Sequence, residues 1–296
     1  MQFCPCKTLL RVLFAVFKSE TVQVWPETGP FLEQVEQHLG LALGLEKQYL
    51  VASRLQPIAR ARGMEDWRAL LRSLSQSPVG ELHWACFEAM TTQETRFFRD
   101  DFCFETLRHT VLPEVLERAR SRRVLKVWSA GTSTGQEACS LAILLYDHFP
   151  EVRDWQVQIW ATDICEQTLA QAQAARYSGQ ELDKGLSSEQ KSRHFLIQPD
   201  GHFSLAPQLK RWIGVARHNL LDPVPETGFD LVLLRNVLIY FRANQKSQVL
   251  RCVHQSMSAA GASLILGASE TIFEHDLFIQ HKAARGGYFT RHDKFS

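Results

Sequence analysis

The sequence predicts an α/β protein: a Rossmann-like domain bearing a small antiparallel β-subdomain, preceded by an all-α N-terminal domain. Three observations carry that prediction. From Arg123 onward, short β-type runs alternate with helical segments, the pattern of a parallel sheet with right-handed crossovers. Residues 29–120 show helical periodicity and no strand alternation. Between Tyr177 and Asn219 the alternation breaks at a strand–turn–strand built around Pro199-Asp200-Gly201.

In the helical part, Phe31, Leu32, Val35 and Leu39 recur on one face. Tyr49, Leu50, Leu55 and Ile58 follow, then Trp67, Leu70, Leu71 and Leu74, with Gly40, Gly44, Gly63 and residues 75–80 as breaks. The expectation is an all-helical domain over 29–90 and a linker helix over 91–122. The α/β domain then occupies 123–296. Its strands are expected at 124–131, 157–164, 229–236 and 262–269, its helices at 136–149, 166–177 and 243–257, and a β-insert at about 195–218. Residues 1–28 form an N-terminal extension. Its apolar run Leu9–Phe17 contains Arg11 and is too short to span a bilayer, so an added helix or a frayed end is expected there.

The 33 basic and 32 acidic residues leave a net charge of +1, so no overall bias points to nucleic acid or membrane insertion. Seven scattered cysteines suit a reducing cytoplasm better than a disulfide framework. Cys4-Pro5-Cys6 alone offers too few ligands for zinc, and no metal is expected.

Ser129-Ala130-Gly131-Thr132-Ser133-Thr134-Gly135 closes the first strand and opens a helix. In open α/β sheets, ligands lie beyond the carboxyl ends of the strands, where glycine lets the backbone come close. The loop lacks the G-x-G-x-x-G spacing of dinucleotide binders and the lysine of a P-loop, so a cofactor without phosphate suits it better. Asp163 ends the second strand, where an acid can accept from ribose hydroxyls or cap the next helix. Arg235 and Asn236 end the third strand and point toward the same edge.

Five ordered blocks resemble the CheR-type chemoreceptor glutamate methyltransferases. They are TTQETRFFRD (91–100), VWSAGTSTGQEACSLA (127–142), ATDICEQTLAQAQAARYS (161–178), NLLDP (219–223) and FDLVLLRNVLIYF (229–241). The resemblance implies S-adenosylmethionine as cofactor, with S-adenosylhomocysteine as product. It implies that Gln93, Thr95 and Arg99 line the pocket from the linker side, beside Gly131. It also implies that Glu137 meets the methionine amino group, Asp163 the ribose, and Asn219 and Leu220 the adenine. Arg235 and Asn236 would stand at the methionine end, and Tyr240 beside the transferring methyl. Arg99, Arg235 and Tyr240 are the implied catalytic set. Gln93, Gln136, Ala138 and Leu234 depart from the family's usual residues.

The implied reaction methylates receptor glutamates, forming methyl esters in chemotactic adaptation. Alternatives are a methyltransferase for another protein carboxylate or another acceptor, a silent cofactor-binding adaptor, and a nicotinamide dehydrogenase. Residues 47–72 hold Lys47, Arg54, Arg60, Arg62, Arg68 and Arg72 against Glu65 and Asp66, a net +4. Such a basic face suits either the acidic methylation helices of a receptor or plain solvent. The β-insert hairpin around 199–203 is short, so binding of a receptor's C-terminal peptide is expected to be weak or absent.

Overall fold

The computed structural model describes residues 25–258, 261–272, 274, 276–283 and 287–293. The Leu9–Phe17 run and the Cys4–Cys6 pair lie outside the described residues.

Four helices make the N-terminal unit: α1 (Thr28–Leu39), α2 (Gln48–Ala61), α3 (Trp67–Ser75) and α4 (Glu81–Ala89). Their apolar stripes meet in a core that includes Phe31, Val35, Val51, Leu55, Leu70 and Phe87. Asp66 starts α3 by accepting the Ala69 N–H at 2.8 Å. An extended segment follows α4. It leads into α5 (Asp101–Thr106), which continues through a π turn at Leu107–Val111 into α6 (Leu112–Ala119).

The second unit alternates β1 (Val124–Ala130), α7 (Gln136–His148), β2 (Gln156–Asp163) and α8 (Glu166–Ala174). Next come β3 (Arg176–Tyr177), α9 (Gly179–Asp183), α10 (Ser188–His194), β4 (Phe195–Ile197), β5 (Phe203–Leu205), α11 (Pro207–Lys210) and β6 (Ile213–Arg217). The chain ends with β7 (Leu231–Leu234), α12 (Ala243–Ser256), β8 (Ser263–Leu266), β9 (Phe278–Lys282) and β10 (Gly287–Arg291). The main sheet runs β6-β2-β1-β7-β8-β10-β9. Neighbours pair in parallel from β6 to β8, and β10 and β9 run antiparallel.

The sheet is therefore mixed, and three of its strands differ from the sequence expectation. β6 was expected in the insert but pairs with β2 in the main sheet. As an edge strand it is only half-buried, so it lacks the continuous apolar run of an interior parallel strand. The hairpin β9–β10 breaks the strand–helix alternation on which the expectation rested. The small sheet, β3-β5-β4, takes in Arg176 and Tyr177, expected as helix. α8 stops at Ala174 because Ala175 turns left-handed at φ +50°.

β1 leads to β2 on one side, and β7 lies on its other side. That reversal opens a crevice beyond the carboxyl ends of β1, β2 and β7. Among the described residues, no helix is long and apolar enough to cross a membrane.

Candidate functional site

The crevice encloses about 970 Å³ of space, its open mouth included. That is room for a ligand of nucleoside size. Gln93, Thr95, Arg99, Gly131, Glu137, Asp163, Asn219, Leu220, Arg235, Asn236 and Tyr240 all line it. Residues from all five quoted sequence blocks thus meet at one edge of the sheet.

The loop after β1 is shaped by close approach. Gly131 adopts φ +77°, and a Cβ there would lie 2.6 Å from a methyl of Val237. A side chain is excluded both by backbone conformation and by the neighbouring turn. The N–H groups of Gly131 and Thr132 both donate to the Thr162 carbonyl at 2.8 Å, which ties the loop to β2.

Asp163 stands at the end of β2 and is 9% exposed. One carboxylate oxygen accepts the Ser133 N–H at 2.8 Å, the other the Cys165 N–H at 3.1 Å. The carboxylate therefore spans the loops after β1 and β2, and the N-cap position of α8 belongs to Cys165. Burial pushes the carboxyl upward, opposed by these N–H bonds. Each oxygen keeps a lone pair for a hydroxyl donor in the crevice.

Glu137 sits in the first turn of α7. It accepts the Ser129 hydroxyl at 2.8 Å and an Arg235 N–H at 2.9 Å. Burial raises its carboxyl above the ordinary range, and the Arg235 guanidinium opposes that rise. The Arg235 side chain is 1% exposed. It also donates to Asp100 at 3.1 Å and to the Arg99 carbonyl. Arg235 is therefore a buried hub that orients Glu137 and the 99–100 backbone. Arg235 also lines the crevice, at the methionine end that the resemblance assigns to it.

The other predicted residues divide by what their side chains do. Arg99 donates to the Glu94 carbonyl at 2.6 Å at the crevice wall. The Gln93 side-chain amide donates to the Thr91 hydroxyl, and the Gln93 backbone carbonyl accepts from Ser133 Oγ at 3.0 Å. The Asn219 amide donates to the His38 carbonyl at 2.8 Å, so it ties α1 to the crevice. Leu220 is buried beside it. The Tyr240 carbonyl accepts the Ala42 N–H at 2.9 Å, a second tie to the helical unit. Asn236 holds the left-handed conformation at φ +58°.

Sequence reasoning missed several lining residues. Leu39 and Leu41 come from the helical unit, and no local signal marks them because packing between the units brings them in. His218 lies against Trp128 and Trp160, and burial lowers its pKa, so its ring is neutral at pH 7. Ser133 lies inside the quoted loop, and its position there was a usable signal.

Two buried carboxylates with spare acceptor capacity, one at the end of β2 and one in the first turn of α7, fit a ligand with hydroxyls at one part and an ammonium at another. S-adenosylmethionine has both. The comparisons agree with that fit. A family model described as "CheR methyltransferase, SAM binding domain" matches residues 93–286, and "CheR methyltransferase, all-alpha domain" matches residues 28–91. The chain is 37% identical over 243 residues to "Chemotaxis protein methyltransferase 1" of Pseudomonas aeruginosa, covering 80% of this chain and 87% of that protein. It is 37% identical over 250 residues to "Chemotaxis protein methyltransferase" of Vibrio parahaemolyticus, covering 83% and 89%. A protein of the same description from Listeria monocytogenes is 30% identical over 242 residues, covering 82% and 88%. The chain belongs to the CheR methyltransferase family, and S-adenosylmethionine is its cofactor.

Proposed function

We propose that the protein methylates glutamate side chains of chemoreceptors, forming glutamyl methyl esters in the cytoplasm. The observation that carries this reading is the pair of buried acids, Asp163 and Glu137, in one crevice with Arg99 and Tyr240. Asp163 would hold the ribose and Glu137 the methionine ammonium, with Leu220 and the neutral His218 flanking the base. When bound, the cofactor supplies an electrophilic methyl group on cationic sulfur. A glutamate acceptor has a solution pKa of about 4.3, so no residue of the protein has to remove its proton. The work left to the side chains is orientation and exclusion of water. Arg99 shapes the wall of the crevice, and Tyr240 orients the acceptor oxygen or the methyl.

The direct test is tritiated methyl transfer to membranes carrying chemoreceptors, read as a base-labile ester. Tyr240→Phe and Arg99→Ala should each lower that rate by about tenfold or more while S-adenosylhomocysteine still binds. Wild-type rates in either variant would remove that residue from its role. An ester on a non-receptor protein would move the substrate to another carboxylate.

The raised carboxyl of Glu137 sets a pH dependence. Only its ionised form attracts an ammonium, and its protonated fraction starts to grow at a higher pH than for a free glutamate. S-adenosylhomocysteine affinity should therefore weaken on acidification while ordinary carboxyls are still charged. Glu137→Gln should bind more weakly at pH 7 and show a flatter profile. An unchanged profile in that variant would rule Glu137 out as the titrating group.

The basic stretch 47–72 is not one free face. Arg54 donates to the Met90 and Thr91 carbonyls, Arg68 pairs with Asp66, and Arg72 pairs with Glu27. Lys47, Arg60 and Arg62 are the exposed cations left, at opposite ends of α2. They support docking of an acidic receptor helix through separate points, about 20 Å apart by helix rise. Methylation should fall steeply with salt, and Arg60→Glu with Arg62→Glu should raise KM severalfold at low salt, by about 1 kcal/mol or less per exposed charge. A flat salt response would remove electrostatic docking from the account. In the β-subdomain, β4 is an outer strand of three residues, which supports weak or absent capture of a receptor's C-terminal peptide.

A further inference from the structure

Glu270 lies on the turn that follows β8, where the Glu270 N–H donates to the Gly267 carbonyl at 3.0 Å. Its carboxylate accepts four backbone N–H groups. One oxygen takes Asn236 at 2.7 Å and Gly267 at 2.8 Å. The other takes Val237 at 2.8 Å and Ile239 at 3.3 Å. Three of those donors belong to the turn that carries Asn236, Val237 and Tyr240 along the crevice wall.

That turn does not hold its shape by itself. Asn236 sits at φ +58°, a conformation that costs a residue other than glycine about 1 kcal/mol. The amides at the start of the short helical turn Leu238–Tyr240 have no partner within it. The carboxylate supplies those partners and places negative charge at that turn's amino end. Space for the contact comes from Gly267, where a Cβ would lie 2.7 Å from the Glu270 carboxylate and 2.8 Å from the Asn236 nitrogen.

We propose that Glu270 is a positioning residue for methyl transfer, clamping the 236–240 turn so that Tyr240 faces the reacting end of the crevice. The inference rests on the methyl-transfer reading above. A glutamine is a poor substitute. It keeps one acceptor oxygen, and its NH2 group would face two of the N–H groups, donor against donor.

In the full chain, Glu270→Gln should lower kcat for tritiated methyl transfer to receptor-bearing membranes by about thirtyfold, as for a misplaced catalytic group. The Kd for S-adenosylhomocysteine should shift by less than about threefold, because Asp163 and Glu137 remain in place. Hydrogen exchange should quicken at the Asn236, Val237 and Ile239 amides. Gly267→Ala reaches the same clamp by crowding and should show the same split, should Glu270→Gln fail to fold. A kcat within about threefold of wild type, or kcat and affinity falling together, overturns the proposal. If wild-type protein binds S-adenosylhomocysteine yet methylates no receptor, the substrate assignment fails on its own. Exchange then decides the clamp: faster exchange at the three amides supports it, and unchanged protection overturns it.

Discussion

Arg235→Met is expected to destabilise the protein by about 3–5 kcal/mol and to abolish methyl transfer. The guanidinium is buried and holds Glu137, Asp100 and the Arg99 carbonyl at once. Removing it leaves Glu137 buried without its cation. Burial already raises the Glu137 carboxyl, and losing Arg235 removes the main opposing influence. The variant should therefore protonate Glu137 at a higher pH than the wild type does, and affinity for the methionine ammonium should fall with it. Denaturant unfolding gives the stability arm, and calorimetry with S-adenosylhomocysteine the binding arm. The double variant Arg235→Met, Glu137→Gln should regain part of the lost stability, since no unpaired buried charge remains there, but not the activity. Stability near wild type in Arg235→Met alone would show that the hub does not hold the site together.

The sequence made the site more legible than the fold around it. Gly131, Asp163, Arg235 and Asn236 sit at strand ends and Glu137 in the first turn of the helix after β1, where alternation of strands and helices fixes position almost by itself. Their meeting in one crevice follows from parallel topology. Tyr240 and Arg99 carry no such signal and depended on the family resemblance. The functions of side chains were harder still. The pairing of Arg235 with Glu137 joins residues 98 positions apart, and no periodicity encodes it. The Asn219 amide turns to His38, in a different unit, so its tie is a product of packing between units. β6 was misplaced because an edge strand need not be apolar on both faces, and β9–β10 because a terminal hairpin obeys no crossover rule. Glu270 was readable in principle, as an acid just past the fourth strand, yet its partners are backbone amides, which every residue offers alike.

Asp163→Asn is expected to weaken S-adenosylhomocysteine binding by about 100-fold, near 2.8 kcal/mol, while leaving stability little changed. The two effects separate because the carboxylate serves ligand and fold differently. For the ligand, both oxygens are charged acceptors, and an amide leaves one neutral acceptor and takes away the partner of the second hydroxyl's proton. For the fold, burial raises the carboxyl above its ordinary range despite the Ser133 and Cys165 N–H bonds. A carboxyl raised on folding favours the native state where it is protonated. That contribution is complete below its unfolded pKa and is lost as pH rises through the folded value. At pH 7 the folded protein therefore carries the ionised group at a cost, and the neutral amide relieves it while losing one of two N–H bonds. Melting temperature should accordingly stay within a few degrees of wild type at pH 7, a stability change of about 1 kcal/mol or less. Calorimetry and thermal unfolding on the same sample decide the matter. Affinity within about threefold of wild type would remove Asp163 from ribose recognition, and a collapse of both would reduce it to a structural strut.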